Sequence, residues 1–164
     1  MPHPLNLPRL FAALASIACL QASAAVLTFE EFRTGDELHG VGTTIFSKGF
    51  MLQYTPAPNE PSPTEFQAVG PSWRFNYRRT TALNTNSCSA TATLTTIDNN
   101  PLTILSIDLS SLNGDSSYAT TFTGITADGQ VVSRTVKVTH AKGWRTFLFP
   151  PNFRELALGL VESG

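Results

Sequence analysis

The stretch Tyr118 to His140 reads YATTFTGITADGQVVSRTVKVTH. Two runs rich in Thr, Val, Ile and Phe flank Asp128-Gly129, which predicts a β-hairpin. A two-residue turn sets Ile125 against Val132 and leaves Phe122 facing Thr135. A three-residue loop, Ala127-Asp128-Gly129 with Gly129 left-handed in a bulge, puts Phe122 on the face of Val132, Val136 and Val138. The second register collects more apolar area on one face and is preferred, although it brings Arg134 to that face as well. Neither register supplies chemistry. The hairpin speaks for architecture alone.

Outward from it the chain keeps to short extended runs. Val26–Phe29 (VLTF) reads as an opening strand, and the glycine-rich Gly35–Thr43 as a loop. Thr44–Phe46 and Gly49–Tyr54 (GFMLQY) read as strands. Thr55–Pro63, with four prolines, reads as a surface excursion. Trp73–Tyr77 (WRFNY) alternates with strand period, and Thr80–Ser87 is polar and turn-rich. Ser89–Ile97 carries Ala90, Ala92 and Leu94 on one side and Thr91, Thr93 and Thr95 on the other. A threonine row of that kind is a feature of ice-binding surfaces, but one row on one strand is equally a solvated sheet face, and the second reading is taken. Leu102–Leu109 puts Leu105, Ile107 and Leu109 on one face. Trp144–Phe149 (WRTFLF), stopped by Pro150-Pro151, and Arg154–Val161 follow the hairpin. About eight or nine short strands with no long helical period predict an all-β fold, a two-sheet antiparallel β-sandwich of jelly-roll type.

Composition narrows the class. The 164 residues are 14% charged, with a formal charge of −1 and scattered lysines and arginines apart from Arg74, Arg78 and Arg79, which argues against a nucleic-acid partner. Arg9 followed by Leu10–Leu20 (LFAALASIACL) and Ala22-Ser23-Ala24 reads as a cleavable signal peptide over residues 1–24, leaving one domain over 25–164 in a secreted or periplasmic protein. The apolar run falls short of the ~20 residues that span a bilayer, and no second one follows. A lipoprotein signal at Cys19 is disfavoured by Ser16 three residues earlier. With Cys19 gone in the leader, Cys88 has no disulfide partner in the mature chain and reads as a small hydrophobe.

The order of motifs resembles the β-sandwich domain of bacterial secreted proteins that often end in a PEP-CTERM sorting tail. The matching pieces are LTFEEF, GTTIFSKGFML, ATLTTIDNNPLTILSIDLSSL, TFTGITADGQVVSRTVKV and GWRTFLFPPNFREL. The resemblance covers nearly all of residues 25–164 and implies a carbohydrate-binding, jelly-roll-like domain. The family continues with one more strand of the form F-x-x-D-N-I and then the sorting tail, whereas this sequence ends at VESG; the resemblance therefore implies an unpaired sheet edge and a strand-edge protein partner.

No catalytic set is legible. His39 and His140 are the mature imidazoles, no nucleophile-elbow, zincin or P-loop spacing occurs, and Asp108 lies within a strand as a structural residue. No catalytic residue, metal ligand or cofactor is assigned. Because sugar-binding jelly rolls often hold a structural calcium near the first strand, Glu30, Glu31 and Asp36 are the oxygen donors for one; a solvated acidic strand end is the plainer account. For a sugar, ring stacking matters more. Trp73, Tyr77 and Trp144 are the candidate ligand-binding residues, with Tyr54 a further ring. Trp73 and Tyr77 share strand parity, so their rings meet either a sugar or the core. The function expected is a non-enzymatic exported protein that binds glycan or matrix polysaccharide. The alternative is a structural or adhesive surface protein that assembles with other proteins.

Overall fold

A computed structural model describes residues 24–35, 37–60, 64–71, 80–85, 87, 89–110, 117–139, 143–154 and 156–163, the last seven through their backbone pairing alone. Eleven strands are described: β1 (Leu38–Gly42), β2 (Thr44–Ser47), β3 (Phe50–Thr55), β4 (Phe66–Val69), β5 (Ala82–Asn84), β6 (Thr91–Thr96), β7 (Ser106–Leu109), β8 (Tyr118–Thr126), β9 (Val131–Val138), β10 (Arg145–Leu148) and β11 (Leu156–Ser163). They form a six-stranded sheet β2-β3-β6-β11-β8-β9, a three-stranded sheet β1-β4-β5 and a pair β10-β7. Every pairing is antiparallel. The chain is all-β, as its patterning predicts.

The hairpin adopts the three-residue loop. Thr126 N–H donates to Gln130 O at 2.9 Å, Gly129 N–H donates to Thr126 O at 2.9 Å, and Gly129 has φ +82°. Phe122 lies opposite Arg134, and Phe122, Val132, Val136 and Val138 are all buried. At the other end of the sheet β2 and β3 are joined by Lys48-Gly49, both at positive φ (48° and 86°), the two-residue turn whose twist suits a hairpin.

One face of the six-stranded sheet carries both core clusters. Toward β8 and β9, Phe122, Val132, Val136, Leu102, Phe153 and Leu156 are buried together, with Ile107 and Leu109 of β7 and Phe147 of β10 packed on them. Phe149 meets Phe122 edge-to-face at 5.3 Å and Phe153 in a tilted contact at 4.8 Å. Toward β2 and β3, Ile45, Tyr54, Phe66 and Ala90 are buried with Val41 of β1 and Leu83 of β5 against them. Both small sheets thus give apolar side chains to the same face, where burial of this kind drives folding.

Several boundaries differ from the sequence expectations. Val26–Phe29 is no strand: Phe29 turns left-handed at φ 57° into a 3-10 turn, Glu30–Phe32, and Phe29 and Phe32 pack on the second cluster. Gly35–Thr43 is no simple loop, since Leu38–Gly42 pairs with β4 as β1, with a register shift between Gly40 and Gly42. The expected turn-rich Thr80–Ser87 contains β5, which pairs with β4. Of Leu102–Leu109 the second half is a strand, while Leu102 makes an isolated bridge with Leu156 and Leu105 is 58% exposed rather than sharing the core face with Ile107 and Leu109. The last strand runs on through Glu162 and Ser163 and lies between β6 and β8. Among the described strands the edges of that sheet are β2 and β9.

Candidate binding face

Of the rings expected to stack on sugar, Trp73 and Tyr77 lie outside the described residues. Trp144, just before β10, is half-buried, and its indole N–H is buried without a hydrogen-bond partner. Tyr54 is a core residue, 6% exposed and edge-to-face with Phe66 at 5.4 Å. Its hydroxyl donates to Glu60 Oε2 at 3.4 Å, and the same carboxylate oxygen accepts Ala57 N–H at 3.1 Å, which ties the proline-rich excursion back to β3. Burial first, then the Glu60 charge, hold the Tyr54 phenol above its ordinary range, against a Ser87 hydrogen bond that lowers it. A neutral phenol so held is a strut rather than a base.

The acidic residues named for calcium divide likewise. Glu30 is committed within the fold: Oε1 accepts Thr81 N–H at 2.7 Å, Oε2 accepts the Thr81 hydroxyl at 3.3 Å, and Arg33 stands 3.9 Å away. Glu31 is exposed, and Asp36 lies outside the described residues. Among the described residues no group of three or more His, Cys, Asp and Glu is placed to hold a metal ion. Asp108 accepts the Thr146 hydroxyl across the β7–β10 pair, a structural contact. Cys88, His140 and the Arg74, Arg78 and Arg79 trio lie outside the described residues, as do residues 1–23.

The other face of the six-stranded sheet is the surface with a pattern. Cross-strand register lines up Thr44, Gln53, Thr93, Val161, Thr123 and Ser133 in one row. A second row runs Thr55, Thr91, Ser163, Thr121 and Thr135. Thr121 and Thr135 join hydroxyl to hydroxyl at 2.9 Å. None of the described side chains in these rows is buried, and Gln53, Thr55, Ser133 and Thr135 are exposed. Phe46, 57% exposed, sits on this face beside Met51. Lys137 is the one charge among the described side chains of the face. Strands stand ~4.8 Å apart and alternate residues ~6.8 Å, so the face is about 24 Å wide and carries hydroxyls at a regular repeat.

The sequence held a sign of these rows in Thr91, Thr93 and Thr95, but read as one strand they look like ordinary solvated threonines. The array appears only once register aligns β6 with Thr121 and Thr123 of β8 and Ser133 and Thr135 of β9. Among the described residues no helix is long and apolar enough to cross a membrane. Comparison with protein-family models, with curated proteins and with solved structures found no match to this chain.

Proposed function

We propose that this chain is an exported, non-enzymatic β-sandwich of jelly-roll type, in which the two small sheets form the second layer and the open face of the six-stranded sheet binds a neutral polysaccharide. The observation that carries the reading is the pair of threonine-rich rows. Hydroxyl and amide side chains both donate and accept, as sugar hydroxyls do, and a face with one charge discourages an ionic partner. Phe46 adds an exposed ring on which an apolar sugar face can stack, worth ~1 kcal/mol by analogy with other ring contacts. A few such contacts leave dissociation in about the millimolar range, which avidity on a repeating polymer strengthens.

Retention on insoluble and soluble neutral polysaccharides tests the reading, with wild type compared with Phe46→Ala, Thr93→Lys and Trp144→Ala. Loss in the first two, with unchanged melting temperature and little sensitivity to salt, is the expected result. Loss in Trp144→Ala alone moves the site to the β10 end. If no polymer retains the wild type, the polysaccharide reading fails. A second reading, an assembly protein, is favoured by one observation, the eight-residue edge strand β9.

A further inference from the structure

Among the described strands, β9 closes the six-stranded sheet and pairs with β8 alone. Bonded and non-bonded pairs alternate along an antiparallel ladder. Thr126 N–H bonds Gln130 O, so the pairs that bond to β8 are those of Val132, Arg134, Val136 and Val138. Val131, Ser133, Thr135 and Lys137 then turn their N–H and C=O groups away from the sheet. All four are exposed, Val131 by 68%. A row of unpaired main-chain groups this long is a template for one more strand.

Edges of this kind are usually guarded by charge. On β9 the guard is incomplete. Arg134, half-buried at the edge, faces the core side with its guanidinium carbon 5.8 Å from the centroid of the Phe149 ring, and Lys137 is the one exposed charge of the strand. The described strands of the hairpin carry these two cations and no acid. A second copy is a poor occupant. The two-fold pairing that engages all four outward residues sets Ser133 against Thr135 and Arg134 against Arg134 of the other copy, and like charges directly opposite are destabilising.

We infer that the β9 edge is a strand-addition site for an extended peptide segment that carries acidic side chains opposite Arg134 and Lys137. Main-chain bonds at Val131, Ser133, Thr135 and Lys137 supply the affinity, and the two cations supply the selectivity. The site is separate from the polysaccharide face, so peptide binding and polymer retention succeed or fail independently.

The test uses the full chain, isotope-labelled for NMR, and three blocked eight-residue peptides of alternating valine and threonine. One carries two glutamates, one carries lysines at the same places, and one is the glutamate peptide with alternate backbone nitrogens methylated. The glutamate peptide is expected to slow amide exchange at Val131, Ser133, Thr135 and Lys137 and to bind about tenfold more tightly than the lysine peptide. The methylated peptide is expected not to bind, and Lys137→Glu, an exposed substitution that leaves Arg134 in place, to erase the preference between the two charged peptides. Absence of protection at those four amides overturns the inference. So does equal binding of the two charged peptides, or binding of the methylated one. Protection of the same amides without peptide, together with a dimer mass, would make a second copy the occupant and overturn it as well.

Discussion

Arg134 of β9 places its guanidinium carbon 5.8 Å from the centroid of the Phe149 ring, on the core side of the sheet. This contact resolves the awkward feature of the hairpin register, which sets a cation between Val132 and Val136. Phe149 is itself held by Phe122 and Phe153, so the cation meets an oriented ring while its stem covers apolar surface. Arg134→Met keeps most of the stem, and Phe149→Leu removes the ring. A double-mutant cycle by denaturant unfolding is expected to give a coupling of about 0.5–1 kcal/mol. No coupling would mean that the stem alone holds Arg134 in place.

Gly124 is fixed by a close approach. A Cβ there would stand 2.8 Å and 2.9 Å from the two methyl carbons of Leu156, which is 1% exposed. Both neighbours are packed, so Gly124→Ala is expected to cost about 1–3 kcal/mol through overpacking. Leu156→Val shortens the opposing side chain, and in that background the alanine should cost less than in the wild type. Melting temperatures of the four proteins decide it; equal costs in both backgrounds would show that the sheet relaxes elsewhere.

These two sites mark what was legible in the sequence. The hairpin register followed from Phe122, Val132, Val136 and Val138 because period-two patterning and a turn signal agree there. β1 was hidden because Gly40 and Gly42 look like loop residues, and their partner, Glu65, lies far along the chain. β5 was hidden because three residues are too few to show a period, and it is β4 that makes Ala82–Asn84 a strand. The threonine rows were hidden for a related reason: each strand contributes only two or three residues, and strand order, which no local pattern encodes, assembles them.

Asp128 at the hairpin tip makes the turn sensitive to acid. Its carboxylate is held below the ordinary range first by the Thr126 hydroxyl, with its own N–H and that of Gln130 adding to the effect. A lowered folded pKa gives stability that is complete above the unfolded value, about pH 4, and is lost as pH falls through the folded one. Protection of the Gly129 and Gln130 amides, taken as the ratio of intrinsic to observed exchange, should therefore fall below about pH 4 in the wild type. Asp128→Asn should exchange faster at neutral pH and show no such acid step. An identical acid profile in the variant would assign the step to another carboxylate.

Glu65 explains why a glycine-rich segment forms β1 at all. Its Oε2 accepts Gly42 N–H at 2.9 Å, where the pairing with β4 shifts between Gly40 and Gly42. Gly42 is left-handed at φ +94°, so the irregularity suits it, whereas Gly40 is not at positive φ and owes its place to space. A Cβ on Gly40 would fall 1.9 Å from Glu65 Oε1. Gly40→Ala should thus act by displacing the carboxylate, leaving the Gly42 N–H without its acceptor. Glu65→Ala removes the same bond directly, at about 1–3 kcal/mol for a partly buried donor left unpaired. Because both changes break one interaction, their costs should not add: Gly40→Ala should be nearly neutral, or slightly stabilising, in the Glu65→Ala background. Urea midpoints of the two single variants and the double variant provide the measurement. Additive losses would show that the bulge is held by the strand pairing with β4 and that Glu65 only lies over it.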